Sequence, residues 1–138
     1  MRRKLGWTVL VAVWCVAVAS GGCSSDPSDE ETVVGLAETW VTGWSTDDPD
    51  LVASVFTEDG TLIDPLGITS TGRDAIGRYV ESHDHLTDET CDYEVTTADD
   101  GTFGIPCFMN VNGEPRPGQL AMTLEGDLAS QIQWIDTP

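Results

Sequence analysis

The apolar positions in the first third of the chain recur at intervals of three and four residues, which is typical of a helix with one buried face. This apolar stripe comprises Val33, Leu36, Ala37, Trp40, Val41 and Trp44. Ser28 and Glu31 have the spacing of a capping box, so they can cap the start of this helix. Asp48-Pro49 has the order of a cap followed by proline and predicts a short second helix.

The next segment, from Thr57 to Tyr79, predicts strand, loop and helix in succession. Residues 58–60 (EDG) predict a turn, and residues 61–63 (TLI) have the β-branched and apolar character of a strand. Asp64-Pro65 ends this strand, because proline has no N–H for a ladder and keeps its predecessor extended. Residues 67–72 predict a loop, and apolar residues at helical spacing predict a helix from Arg73 to about His83.

After this helix the chain is predicted to be extended. The segments Cys91 to Thr97, Thr102 to Val111, Gly118 to Leu124 and Leu128 to Ile135 predict strands. We expect one curved antiparallel sheet with the helices against its concave face, which is an α+β architecture.

The segment LIDPLG at residues 62–67, together with the order of elements, resembles the family of nuclear transport factor 2, the SnoaL-like polyketide cyclases and the ketosteroid isomerases. The resemblance implies a cone-shaped α+β fold with three N-terminal helices on a curved antiparallel sheet. It also implies a long hairpin around Asn112-Gly113 and an apolar cup that the helices leave open.

Asp64 has two interpretations. In the first it is a turn residue whose side chain accepts hydrogen bonds from the loop amides after Pro65. In the second, which the resemblance implies, it is a general base facing the cup, where burial makes a carboxylate a stronger base. The family's oxyanion-hole donors fall near Trp40 and Leu120, and leucine cannot donate. Losing one such donor costs about 3 to 4 kcal/mol of transition-state stabilisation, so we do not predict a steroid isomerase.

The cup implied by the resemblance has four candidate wall residues, Trp40, Trp44, Tyr79 and Met122. The alternative for each is a place in the core, since a small domain needs its large side chains there. In a reaction that uses Asp64, the candidate polar partner is Trp40 or Tyr79. His83 is a candidate catalytic partner by resemblance to scytalone dehydratase, and its alternative is a place beside the apolar stripe.

His83 and His85 also suggest a metal site, which we do not favour. Side chains two positions apart on a helix point to nearly opposite sides. Glu81 and His85 can share a face, but two ligands do not make a zinc site. We therefore predict no metal and no cofactor.

The N-terminus predicts export. Arg2, Arg3 and Lys4 precede an apolar stretch at residues 5–19, which is shorter than the about 20 residues of a spanning helix. Residues 18–23 (VASGGC) resemble a bacterial lipobox, with Ser20 where leucine is usual. We expect a signal peptide at 1–22, a lipid on Cys23 that holds the protein at the outer face of the cell membrane, a polar tether at 23–31 and one domain at 32–138. The alternative is cleavage after Ala19 and free secretion.

The charge of the exported part limits its partners. Removing the signal leaves three arginines against 24 acidic residues, a net charge of −21. Such a surface repels phosphate backbones, so we predict no nucleic-acid binding.

Two cysteines remain after Cys15 leaves with the signal and Cys23 is modified. Cys91 and Cys107 flank the predicted turn at residues 99–101 almost symmetrically, which favours a disulfide in an oxidising exterior. The alternative is a pair of reduced, buried thiols.

Three hypotheses about function follow. The first is an envelope-anchored lipoprotein that binds a small hydrophobic ligand in the cup. The second is an isomerase, cyclase or dehydratase that uses Asp64 as a general base on a small carbonyl compound. The third is a non-catalytic interaction module, because many proteins of the resembling family dimerise through the open sheet.

Overall fold

The computed structural model describes residues 28–83 and 86–137, with the side chains of residues 86–89 left aside. The predicted signal peptide, most of the tether, the lipidation site Cys23, and His85 therefore lie outside the described residues. Within the described ranges, no helix is both long and apolar enough to cross a bilayer.

Three helices occur in the described ranges, α1 (Asp29–Ser45), α2 (Pro49–Ala53) and α3 (Arg73–Ser82). The predicted caps are confirmed. Ser28 Oγ accepts from the Glu31 amide at 3.2 Å, and Asp48 Oδ1 accepts from the Leu51 amide at 3.1 Å. Helix α1 thus begins inside the segment that we predicted as a tether.

The strands form one sheet on which the helices pack. They are β1 (Phe56–Ile63), β2 (Thr69–Thr71), β3 (Leu86–Cys91), β4 (Thr96–Thr97), β5 (Phe103–Val111), β6 (Glu114–Glu125) and β7 (Leu128–Asp136). The order is β2-β1-β7-β6-β5-β3, and β4 pairs with β5. The α+β fold is confirmed. The expectation of a purely antiparallel sheet is corrected, because β1 and β7 are parallel. A parallel pair needs a long connection, and most of the domain lies between these two strands.

The predicted turn at residues 58–60 is wrong, because these residues belong to β1. The register of β1 against β7 shifts between Phe56 and Thr61, so the strand bulges instead of turning back. A Cβ on Gly60 would lie 2.9 Å from the Phe56 side chain and 3.1 Å from the Ala129 carbonyl. Gly60 is therefore needed for close packing. The acidic residues before it are typical of a turn, so the sequence did not indicate this role.

Two further boundaries differ from the prediction. The predicted loop at 67–72 contains β2, which pairs with the end of β1. Strand β3 begins at Leu86, five residues before the predicted Cys91. Polar residues dominate both segments, so their pairing with neighbouring strands outweighs weak local propensity.

The hairpin between β5 and β6 turns at Asn112-Gly113, as expected. Both residues have positive φ, 53° and 83°, which a two-residue hairpin turn of this kind requires. The disulfide is also confirmed. Cys91 and Cys107 stand opposite each other in the β3–β5 register and are bonded, which ties the edge strand β3 to the sheet.

The core lies between the inner face of the sheet and the helices. Leu120, Met122 and Ile132 are fully buried on the strands, and Val33 and Ala37 are fully buried on α1. The alternate residues of β6 and β7 lie on the opposite, outer face, which the helices do not cover.

At one end of the inner face, Trp134 packs against Gly118 and its Nε1 donates to Asp136 Oδ1 at 2.7 Å. The Arg116 guanidinium donates to both oxygens of Asp136 at 2.9 Å. Partial desolvation raises the pKa of Asp136, but the hydrogen bonds from Trp134 and Arg116 outweigh it and hold this pKa below its usual value.

We predict that Gly118→Ala destabilises the fold. The added Cβ would lie 2.5 Å from Trp134 Cζ2 and 2.6 Å from the Ile135 carbonyl, and the backbone atom cannot move aside. A loss of about 1 to 3 kcal/mol in the free energy of unfolding, measured in urea, is expected. Gly77→Ala in α3 is the control, since no atom lies within 4 Å of its added Cβ and alanine favours a helix. Equal stability of the two variants would contradict the packing argument.

Candidate functional site

Asp64 lies at the end of β1 with only 5% of its surface exposed, a buried carboxylate in an acidic protein. Its Oδ1 accepts from the Leu66 amide at 2.9 Å and from the Ile68 amide at 2.7 Å. The Asp64 amide also donates to the Ile68 carbonyl at 3.0 Å. The turn interpretation of Asp64 is therefore confirmed, because its side chain closes the loop that follows β1.

The local sequence explains this loop. Pro65 has no N–H, so the first amide within reach of the Asp64 side chain is that of Leu66. Gly67 adopts a φ of +81°, which allows the chain to turn back so that the Ile68 amide reaches the same oxygen. The loop projects the side chain of Leu66, 74% of which is exposed.

Tyr79 binds the other oxygen of Asp64. Its hydroxyl donates to Asp64 Oδ2 at 2.8 Å, and both residues are buried. Helix α3 positions Tyr79 on its inward face, next to the buried Ile76 and Val80. The sequence predicted Tyr79 as a candidate polar partner of Asp64 in a reaction, and in the structure its hydroxyl is hydrogen-bonded to Asp64 itself.

His83 lies at the C-terminal end of α3 and stacks on Tyr79, with ring centroids 3.8 Å apart and an angle of 23° between the rings. Its Nδ1 is 2.7 Å from the Tyr79 carbonyl oxygen. A carbonyl oxygen only accepts, so this contact places a proton on Nδ1, and in the neutral ring Nε2 is then an acceptor.

Two tryptophans of α1 extend this group of rings. Trp40 packs edge to face against Trp44 and Phe56, with centroids 5.9 Å and 6.1 Å apart. Trp44 packs edge to face against Tyr79, at 6.4 Å and 86°. These contacts place Trp40, Trp44, Tyr79 and His83 in one aromatic cluster beside Asp64.

The indole N–H of Trp44 is exceptional in this cluster. Trp44 is only partly buried as a residue, but its Nε1 atom is shielded from solvent and has no hydrogen-bond partner in the part of the chain that the structure describes. A buried donor without a partner costs about 1 to 3 kcal/mol. The site therefore contains a donor that none of the described residues satisfies.

Met122 and Leu120 belong to the core. Both are fully buried on the inner face of β6, within the same hydrophobic cluster as Trp40 and Tyr79. Among the described side chains, those of residues 28–83 and 90–137, no three of His, Cys, Asp or Glu lie together as metal ligands would.

The role of Arg73 was not predicted from the sequence. Its Nε and Nη2 donate to the Phe56 carbonyl at 2.9 Å and 2.7 Å, which fixes the start of α3 against the bulge of β1. A cation in the first turn of a helix meets the positive end of the helix dipole unfavourably. That unfavourable position is the signal from which a tertiary partner could have been inferred.

The arrangement determines what Asp64 can do. A carboxylate has about four lone-pair positions, and Leu66, Ile68 and Tyr79 use three of them. Asp64 thereby orients the Tyr79 ring, on which His83 and Trp44 pack. A substrate proton could reach Asp64 only at the remaining position or after one of these donors had left.

Comparison with known proteins agrees with the fold. A family model described as a SnoaL-like domain matches residues 37–123. No curated protein sequence matches the chain.

Solved structures share the fold at low sequence identity. An NTF2-like protein of unknown function from Cytophaga hutchinsonii is 13% identical, with a TM-score of 0.64 over 83% of this chain and 95% of that one. A hypothetical protein from Catenulispora acidiphila with a ketosteroid isomerase-like fold, solved in complex with trimethylamine, is 21% identical, with a TM-score of 0.59 over 75% and 84% of the two chains.

We predict that Asp64→Ala lowers the free energy of unfolding by about 2 to 3 kcal/mol near neutral pH, because two loop amides and a buried hydroxyl lose their acceptor. Asp48→Ala is the control, since Asp48 accepts one exposed amide at the start of α2 and its loss costs about 1 kcal/mol. Chemical denaturation measures both. A loss at Asp64 no larger than that at Asp48 would contradict the structural role of this carboxylate.

Proposed function

Since this chain belongs to the family of SnoaL-like domains, we propose that it binds a small hydrophobic molecule at the aromatic cluster between α1, α3 and the inner face of the sheet. The main support for this proposal is that the Asp64 carboxylate is already hydrogen-bonded. Its three hydrogen bonds come from its own chain, so the site is organised around a carboxylate that positions neighbours. The aromatic faces around it offer apolar contact area. The trimethylamine complex of the Catenulispora protein is an example of a small molecule held by a protein of this fold.

Catalysis by Asp64 is the second candidate. As a general base on a small carbonyl compound, Asp64 would take a proton at its remaining lone-pair position, with Tyr79 or His83 as polar partners. The Tyr79 hydroxyl already donates to Asp64, so it cannot donate to a substrate at the same time. We therefore place binding ahead of an isomerase, cyclase or dehydratase activity.

Truncation of Trp44 tests the binding proposal. We expect Trp44→Ala to weaken the binding of small cyclic hydrocarbons and ketones at least about tenfold, as the loss of an aromatic anchor does. Phe108→Ala is the control, because Phe108 is an aromatic residue that is 42% exposed on the outer face of the sheet. Calorimetric titration of the purified proteins measures both. Equal affinities would contradict a site at the cluster, and turnover that Asp64→Asn abolishes would favour the enzyme.

We also propose that the protein is exported and held at the outer face of the cell membrane by a lipid on Cys23. The lipobox-like residues 18–23 support this proposal. Cells that express the protein should incorporate labelled palmitate into it, and Cys23→Ser should abolish the label. If the unaltered protein carries no label and is found in the medium, the result would favour free secretion.

We propose that the partner of this protein is a second copy of the same chain, bound through the outer face of the sheet. A groove of about 430 Å³ on this face is lined by Gln119, Gln131, Gln133 and several threonines, with Asp100 as the charged side chain in its lining. Two copies that each carry a net charge of −21 after removal of the signal can approach most closely where carboxylates are few. Glutamine both donates and accepts, so this face can complement itself across a twofold axis.

The double change Gln131→Glu and Gln133→Glu is expected to dissociate such a dimer, because the twofold axis brings four added charges together. Sedimentation at several protein concentrations and moderate salt measures the association constant. Thr42→Glu on the exposed side of α1 is the control for a changed net charge. A protein that is monomeric at all concentrations before any change would contradict the proposal.

A further inference from the structure

The polar contact that a ligand of this site would make can be identified from the indole groups of the domain. Trp134 Nε1 donates to Asp136 at 2.7 Å, so this indole is satisfied within the chain. Trp44 Nε1 is shielded from solvent and lacks a partner among the described residues. Buried polar groups in native proteins are nearly always hydrogen-bonded, and an exception indicates a missing water, ion or ligand.

The position of Trp44 allows a ligand to reach this donor. Trp40 and Tyr79 are only 3% and 7% exposed, whereas Trp44 is partly buried and lies on the outer side of the aromatic cluster. A ligand would reach Nε1 through a turn of this ring, which now packs against Trp40 and Tyr79. Turning it would bring Nε1 towards a molecule lying against Tyr79, whose ring is held in place by Asp64.

From these contacts we infer that Trp44 Nε1 is the specificity-determining donor of the site, and that the ligand is a neutral apolar compound bearing an oxygen acceptor, such as a ketone or an ether. This inference rests on the proposed binding function. An indole is a donor only, so it pairs with an acceptor and cannot pair with an ammonium or amide N–H.

The competing ligand class is an organic cation, which aromatic faces can hold. Asp64 is the buried carboxylate nearest to these rings, and Leu66, Ile68 and Tyr79 already occupy it. It is therefore not a ready counter-ion. A cation at the cluster would leave Trp44 Nε1 without an acceptor, so the two classes make opposite demands on the same atom.

Matched probes test the inference. Indane and 1-indanone have the same ring skeleton and differ by one carbonyl oxygen, and tetramethylammonium represents the cations. Calorimetric titration of the purified protein should show 1-indanone binding about five- to tenfold more tightly than indane, the ratio that one neutral hydrogen bond of about 1 to 1.4 kcal/mol supplies. Tetramethylammonium should bind more weakly than 1-indanone.

The variant Trp44→Phe keeps an aromatic ring but has no N–H. It should bind indane and 1-indanone with equal affinity, and its affinity for indane should stay within about twofold of the original. Nitrogen-15 NMR of the unaltered protein provides a second measurement that needs no variant. The Trp44 indole N–H signal should move downfield with 1-indanone and remain in place with indane, while the Trp134 signal stays fixed with both.

Each other result would contradict part of the account. If both probes bind equally and the Trp44 signal does not move, the donor role is wrong and the binding site stands. The donor role is also wrong, and the binding site again stands, if the Trp44 N–H points at the face of the Tyr79 ring while 1-indanone is bound. Tighter binding of tetramethylammonium would overturn the ligand class. If no probe binds up to its solubility limit, the proposed binding function fails, and the inference fails with it.

Discussion

Three donors bind the carboxylate of Asp64, and the strand, the loop and the helix around it take their relative positions from these hydrogen bonds. Oδ1 closes the loop after β1 through the Leu66 and Ile68 amides, and Oδ2 holds the Tyr79 hydroxyl of α3. Because the group is buried, losing the Tyr79 hydroxyl would leave Oδ2 without a donor to compensate for its lost hydration, and losing either amide would leave Oδ1 with one donor instead of two. This requirement explains why the same residue ends a strand, shapes a turn and orients an aromatic ring.

The aromatic cluster depends on that orientation. Tyr79 is fixed at its hydroxyl by Asp64, and its ring then supports His83 by stacking and Trp44 by edge-to-face packing. The Tyr79 carbonyl in turn fixes the proton of His83 on Nδ1. Binding and catalysis would use this geometry differently: a ligand needs the faces and the Trp44 N–H, whereas a reaction needs Asp64 to give up a donor. The observed hydrogen bonds favour the first use.

Local signals in the sequence predicted the parts of the fold that depend on local chemistry. The caps at Ser28 and Asp48, the turn at Asn112-Gly113 and the pairing of Cys91 with Cys107 each involve residues whose side chains or backbone angles determine the structure nearby. The bulge of β1 at Gly60 and the start of β3 were missed, because they depend on strands distant in sequence. The short strand β2 was missed because its residues are polar and only their pairing with the adjacent β1 makes them a strand.

The residues of the site were predicted from the sequence, but the contacts between them were not. Family resemblance identified Asp64, Tyr79 and His83, and it could not show that the first two are bonded to each other. Arg73 has only an indirect signal, its unfavourable position in the first turn of α3. The Trp44 N–H, which lacks a partner among the described residues, has no local signature.

The coupling between Asp64 and Tyr79 is the central claim, and a double-mutant cycle measures it most directly. The free energy of unfolding would be determined near neutral pH for the original protein, Asp64→Asn, Tyr79→Phe and the double variant. The two single variants lose unfolding free energy, and the account predicts that the sum of these two losses exceeds the loss in the double variant. The difference, the coupling energy, should be about 1 to 3 kcal/mol. Additive losses, with a coupling energy near zero, would show that the two side chains act independently and would contradict the account.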